Sequence, residues 1–255
     1  VITGLDQLPE SILYYRQQLQ WLGGMGIIVL AVAILPMLGI GGMQLYRAET
    51  PGPVKDSKLT PRIKQTAMAL WSIYLGLTAV CAISYWLAGM TFFDAICHSF
   101  STVAIGGFST HDSSIGYFDS ALIESIAIVF MVLSGINFGL HFFALKEKAL
   151  FHYFQDDEVV WYLLILATAI LIVTLILVSH QVYEVPQAFR LAAFEVVSIF
   201  TTTGFATADF SVWPNMIPYL IFFGAFTGAC AGSTGGGMKV MRVMLIIKQG
   251  QREIH

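Results

Sequence analysis

The stretch STVAIGGFSTHD, residues 101–112, places hydroxyls, two glycines, a histidine and an aspartate directly after an apolar run. A second stretch, TTTGFATAD at 201–209, has the same character. Setting GGFSTHD (106–112) against TGFATAD (203–209) pairs Gly107 with Gly204, Phe108 with Phe205, Thr110 with Thr207 and Asp112 with Asp209. The chemistry on offer is that of the backbone. Glycine reaches dihedral angles that a side chain forbids. A glycine-containing strand can therefore turn its carbonyls toward one axis, and rings of carbonyls can replace the hydration shell of a potassium ion. The candidate carbonyl-bearing residues are Ala104, Ile105, Gly106 and Gly107 in one copy, and Thr201, Thr202, Thr203 and Gly204 in the other. Asp112 and Asp209 follow each copy, where a carboxylate would raise the local cation concentration. His111 has no counterpart in the second copy, which carries Ala208, so no general role is expected of it.

A third candidate is GACAGSTGGGMK, residues 228–239. Glycine inside a helix costs about 1 kcal/mol relative to alanine, and four of the six residues 232–237 are glycine. The segment is expected to unwind into a polar loop beneath the two strands and to act as a gate. It comprises Ala231, Gly232, Ser233, Thr234, Gly235, Gly236, Gly237 and then Lys239, which would reach pore-lining carbonyls or carboxylates. It is not a phosphate-binding loop, because GxxxxGK[ST] is not satisfied. Ser233 as a hydrolytic nucleophile would need a histidine partner, and His141, alone at a matching depth, has nothing to place it nearby.

The elements that position these residues belong to an all-α integral membrane protein. Only 11% of the 255 residues are charged and 56% are apolar, against roughly 25% charged in soluble domains. Five stretches, about 12–43, 65–90, 119–145, 159–180 and 214–247, reach the ~20 residues that a span needs. Eleven of the 13 Lys and Arg fall in three segments: 47–64, 146–148 and 239–252. The positive-inside rule puts these in the cytoplasm, with the N-terminal end outside and the C-terminal end inside. Residues 92–105 and 186–200 must then enter and leave on the same outer face. At ~1.5 Å per residue a helix of about 14 residues reaches only about 21 Å, short of the ~30 Å core. Both are read as re-entrant pore helices whose partly negative C-terminal ends favour a cation. Each span–re-entrant–span unit occurs once per strand copy. The chain divides into 1–63, an incomplete first unit with a cytoplasmic loop, then 64–148, then 149–255. It opens at Val1 rather than methionine, as a fragment or trimmed chain would.

Smaller features fit this frame. Cys81, Cys97 and Cys230 lie in apolar runs, with neither metal nor disulfide spacing. Trp21, Trp86, Trp161 and Trp213 fall near span boundaries, as aromatic belts do. His98 and Glu195 occupy equivalent places in the two pore helices and are expected to be hydrogen-bonded anchors. Ser134, Gly135, Asn137 and Gly139 sit mid-way along the third span, suited to tight helix contacts, with Asn137 also weighed as pore-lining.

YYRQQLQWLGGMGIIVLAVAILP, IGGFSTHDSSIGYF, TTTGFAT and GACAGSTGGGMK together resemble the Trk/Ktr/HKT superfamily of potassium transporters, in its bacterial branch. The resemblance implies membrane–pore–membrane repeats around a pseudo-fourfold pore. Residues 104–107 and 201–204 would be its second and third filter strands and 232–237 its gating loop. It also implies K+ as the transported ion with no other cofactor, residence in a bacterial inner membrane, a homodimer, and a cytosolic nucleotide-binding partner of the TrkA type. The chain would then supply two of four filter walls, without the fourth repeat or its arginine below the gating loop. The alternative is an ion-coupled secondary transporter that binds a small solute at broken helices.

Overall fold

A computed structural model describes residues 3–26, 63–149, 151–214 and 216–254, and among these every regular element is helical. The second half of the first expected span, and residues 47–62 of the basic segment after it, lie outside the described residues. Its first half forms α1 (Glu10–Trp21) and then a wider turn, Leu22–Gly26, with a kink at Gly24. α2 (Ile63–Leu87) and α7 (Asp157–Ser179) have 25 and 23 residues, about 37 and 35 Å at ~1.5 Å rise. Both are long and apolar enough to cross a membrane.

Two short helices stand where re-entrant helices are expected. α3 (Phe92–Val103) starts at Thr91, whose hydroxyl oxygen accepts the Asp94 N–H at 3.1 Å. α8 (Val185–Phe200) carries Pro186 in its first turn, where proline's missing donor removes no helical bond. α3 packs on α1, α2 and α4 (Ala121–Ser134), and α8 packs on α4, α7 and α9 (Ile217–Thr227). Both are buried on most of their surface, Ala95, Cys97, Val103 and Phe194, Val196, Val197 being core residues.

The third span departs from the expectation of one continuous helix. α4 and α5 (Phe138–Glu147) meet at a bend of 95°. The cause lies in residues 134–137. Asn137 caps α5 by accepting the Gly139 N–H at 2.8 Å. The Gly135 carbonyl accepts the Cys230 N–H at 2.9 Å, and the Phe138 N–H donates to the Gly232 carbonyl at 3.0 Å. Small polar residues read as helix-packing positions thus release the backbone to pair with a second break. That break divides the last span into α9 and α10 (Val240–Ile254), with 228–239 between them non-helical. The unwinding expected at 232–237 is present and wider. The two breaks satisfy one another, as backbone at membrane depth requires. A one-turn helix, α6 (His152–Gln155), connects α5 to α7.

The tryptophans divide. Trp86 is exposed, but Trp213 is buried. Trp21 stacks on Tyr74 and Phe100, and its N–H donates to the Thr78 hydroxyl at 3.1 Å. Trp21 and Trp213 are therefore packing residues rather than a belt.

Candidate ion-conduction site

The two strand copies leave their helices in the same way. After α3, Ala104 keeps right-handed angles (φ −74, ψ −6), and after α8 Thr201 does likewise (φ −73, ψ −11). The next residues, Ile105 and Thr202, have φ of 52 and 69. The Ile105 and Gly106 N–H groups donate to the carbonyls of Thr102 and Ser101 at 3.1 and 2.8 Å. Those of Thr202 and Thr203 donate to Ile199 and Ser198 at 3.0 and 2.8 Å. This is the Schellman closure of a helix end, whose left-handed position normally holds glycine. α2 shows the ordinary form, with Gly89 at φ 106 and Met90 bonded to Tyr85. A β-branched residue in that position is a genuine outlier, at a cost of about 1–3 kcal/mol. Two equivalent β-branched outliers at the head of both strands mark a conformation the surroundings enforce.

The strands then present their carbonyls. Among the described residues, no N–H or O–H donates to the carbonyls of 104–107 or 201–204. Ala104, Ile105, Thr201 and Thr203 are nevertheless buried. Buried carbonyls are nearly always paired, so these four, continued by those of Gly106, Gly107, Thr202 and Gly204, form two matched acceptor runs with no donor among the described residues. Flanking groups fix the strands from behind. The Ser101 hydroxyl oxygen accepts the Phe108 N–H, and the Ser198 hydroxyl donates to the Phe205 carbonyl, each at 2.6 Å. Gln17 on α1 donates to the Phe108 carbonyl at 2.9 Å. The strands also touch: a β-carbon on Gly107 (φ 68) would strike the Thr203 carbonyl oxygen, whereas one on Gly204 (φ 88) would meet nothing within 4 Å.

The 228–239 loop lies against both strand origins. Thr234 donates its hydroxyl proton to the Val103 carbonyl at 2.9 Å, and the Gly236 N–H donates to the Thr202 hydroxyl at 2.7 Å. A β-carbon on Gly235 would sit 3.1 Å from the Thr201 carbonyl oxygen. The Lys239 ammonium donates to the Gly235 carbonyl, so the lysine folds back on its own loop. Ser233 donates to the Cys230 carbonyl at 2.6 Å and accepts the Gly235 N–H at 3.3 Å, a turn-forming role. His141 bonds the Tyr153 hydroxyl and the Leu133 carbonyl through its two ring nitrogens, so it is not paired with Ser233. Asn137 does not face the strands: its amide oxygen would lie 2.9 Å from a β-carbon on Gly232.

The outer carboxylates have local partners. Asp112 accepts the N–H groups of Gly4 and Leu5 at 2.8 and 3.0 Å. Asp209 accepts the N–H and hydroxyl of Ser211 at 3.0 and 2.5 Å, which hold its carboxyl below the ordinary value of 3.8. His111 pairs with Asp6 at 2.6 Å and stacks on Tyr117. The hydrogen bond from His111 holds the Asp6 carboxyl below its ordinary value. His111 thus ties 3–8 to the strand exit, a local task. Among the described residues no group of three or more His, Cys, Asp or Glu side chains is placed to hold a metal ion.

Four contributors are absent from the sequence reading. Ser101 and Ser198 keep the same register as the glycines and would have emerged from extending the alignment backward. Gln17 sits on a helix read only as a span. Glu158, buried at the start of α7, accepts the N–H groups of Ala231 and Met241 at 2.6 and 3.3 Å and so joins the two ends of the loop. An acidic residue next to Asp156 and Asp157 gives no sequence signal of burial.

Strained strand origins, carbonyls without a donor among the described residues and a broken helix against them define an all-helical protein whose site is built from backbone groups. A family model described as TrkH, cation transport protein, matches residues 1–255. The chain is 64% identical over 254 residues to the Trk system potassium uptake protein TrkH of Halomonas elongata, covering 100% of this chain and 53% of that protein. It is 45% identical over 256 residues to the Trk system potassium uptake protein TrkG of Escherichia coli, again covering 100% of the chain and 53% of the relative. The crystal structure of the potassium transporter TrkH from Vibrio parahaemolyticus superposes with a TM-score of 0.85 at 54% identity, covering 100% of this chain and 52% of that one. The chain belongs to the TrkH family of cation transport proteins, and it spans about half the length of the relatives it matches.

Proposed function

We propose that this chain is part of a potassium-selective conducting subunit of a K+ uptake system in a bacterial inner membrane. The observation that carries the reading is the pair of carbonyl runs at 104–107 and 201–204, matched in backbone conformation and without donors among the described residues. Carbonyl dipoles held in register replace water around a dehydrated K+. The loop 231–237 with Lys239 closes the path below them and would gate it by withdrawing from Val103 and Thr202. The names of the relatives supply potassium as the ion. They favour this reading over a solute-coupled transporter. The units 64–148 and 149–255 would be two repeats of a pseudo-fourfold pore, with 1–63 completing another. Asp112 and Asp209 would line its outer mouth, and the basic segments would face the cytoplasm. The same reading expects a second copy of the protein and a nucleotide-binding cytosolic subunit of the TrkA type.

The test is growth and K+ uptake of a potassium-uptake-deficient bacterium carrying the complete gene. The intact protein should restore growth at low K+, and deleting 232–237 should raise passive K+ leak. No restored uptake, or a deletion without added leak, contradicts the reading.

A further inference from the structure

The two filter copies are held from behind by different residues that perform one task. In the first copy, His98 is fully buried on α3. Its Nδ1 lies 2.8 Å from the Asp94 carbonyl, which only accepts, so Nδ1 carries the proton. In the neutral ring Nε2 then accepts from the Ser109 hydroxyl at 2.9 Å. That hydroxyl oxygen in turn accepts the His111 N–H at 3.0 Å. Asp94, one helical turn earlier, accepts the Thr110 hydroxyl at 2.7 Å. Two helix residues thus hold the Thr110 side chain and the His111 amide.

The second copy has no serine at the matching place, but Ala206, and no carboxylate matching Asp94, but Leu191. Glu195, the counterpart of His98, is longer and also fully buried. One of its oxygens accepts the Thr207 N–H at 2.7 Å, the Ala208 N–H at 2.9 Å and the Thr207 hydroxyl at 3.1 Å. Thr207 and Ala208 are the counterparts of Thr110 and His111. The same hydroxyl and the same amide are captured, now by one carboxylate. Its other oxygen has no hydrogen-bond partner among the described residues. A buried carboxyl group is expensive unless its hydrogen bonds are made, and three donors converge on this one oxygen.

We propose that Glu195 is a positioning residue for ion discrimination: from α8 it clasps the strand exit at Thr207 and Ala208 and thereby fixes the carbonyls of 201–204. Asp94, His98 and Ser109 together form the equivalent clasp for 104–107. The inference rests on the filter reading above. Glu195 itself touches no ion.

The experiment measures uptake of K+ and Na+ in the uptake-deficient strain with the full-length protein, at matched amounts in the membrane. Gly204→Ser is the control for the filter itself. Glu195→Leu removes the acceptor and should lower K+ over Na+ discrimination about tenfold, the weight of one hydrogen bond. Glu195→Gln keeps an acceptor oxygen and should stay within about threefold of the original. Transplanting the first copy's set, Leu191→Asp with Glu195→His and Ala206→Ser, should recover discrimination relative to Glu195→Leu. A merely structural role would lower the amount of protein and leave the ion ratio unchanged. If Gly204→Ser alters the ratio and Glu195→Leu does not, the clasp is overturned and the filter stands. If Gly204→Ser leaves the ratio unchanged, both fall. Should Glu195→Leu not reach the membrane, Thr207→Val removes only the hydroxyl donor and should shift the ratio about threefold in the same direction; an unchanged ratio there overturns the clasp.

Discussion

Replacing Gly107 by alanine should be far more damaging than replacing Gly204, although the two glycines hold equivalent places. Both have positive φ, 68 and 88, and an L-residue with a side chain there costs about 1–2 kcal/mol. At Gly204 that is the whole effect, because a β-carbon meets nothing within 4 Å. At Gly107 the β-carbon strikes the Thr203 carbonyl oxygen and lies 2.8 Å from the carbonyl carbons of Thr203 and Gly204. These are backbone atoms, so no rotamer change relieves the contact and the strands must separate. Overpacking of this kind adds about 1–3 kcal/mol. The gap between the two variants is therefore about 2 kcal/mol, or roughly 30-fold in an equilibrium constant. Thermal unfolding of the detergent-solubilised full-length protein, together with the K+ concentration for half-maximal uptake, reads both consequences. Gly107→Ala should unfold at the lower temperature and need more K+. Equal losses, or a larger loss for Gly204→Ala, would refute the close approach of the two strands.

Three further outcomes follow from the geometry. Thr234→Val keeps the side-chain shape but deletes the hydroxyl bonded to Val103, worth about 1 kcal/mol; passive K+ efflux should rise about fivefold, and unchanged efflux would remove Thr234 from the gate. Ser233→Ala should retain uptake within about threefold, since its hydroxyl only shapes a turn and such bonds contribute about 0.5–1.5 kcal/mol; loss of a hydrolytic activity on that substitution would reverse the transporter assignment. The folded value of Asp209 is depressed below 3.8, so whatever its charge contributes is present above that value and lost only as pH falls through the folded value. Asp209→Asn should therefore change K+ uptake by the same factor throughout about pH 5 to 8, and a ratio that varies across this window would contradict the local Ser211 cap.

What the sequence made legible was set by period and length. The two short helices emerge at Phe92–Val103 and Val185–Phe200 because charge parity forbade them to cross and length forbade them to span. The matched strands emerge because glycine and hydroxyl residues recur in register. The glycine run announced the break after α9. The break between Ser134 and Phe138 was hidden because a glycine and an asparagine inside an apolar run suit helix packing equally well; the partner that decides the outcome, the Cys230–Gly232 backbone, lies about a hundred residues away. Glu158 and Glu195 carry the same lesson. Their burial depends on which amides the fold brings to them, and local sequence cannot show that. Trp21 and Trp213 went astray for a related reason, because proximity to a span boundary does not say which way a ring points.

The most direct test of the central claim is ion discrimination by the full-length protein carrying Gly107→Ser and Gly204→Ser, singly and together. Uptake of K+ and Na+ would be measured in the uptake-deficient strain at matched membrane abundance. If 104–107 and 201–204 are walls of a potassium filter, each substitution lowers K+ over Na+ preference and the pair lowers it further. Discrimination equal to that of the unsubstituted protein in all three variants would contradict the account.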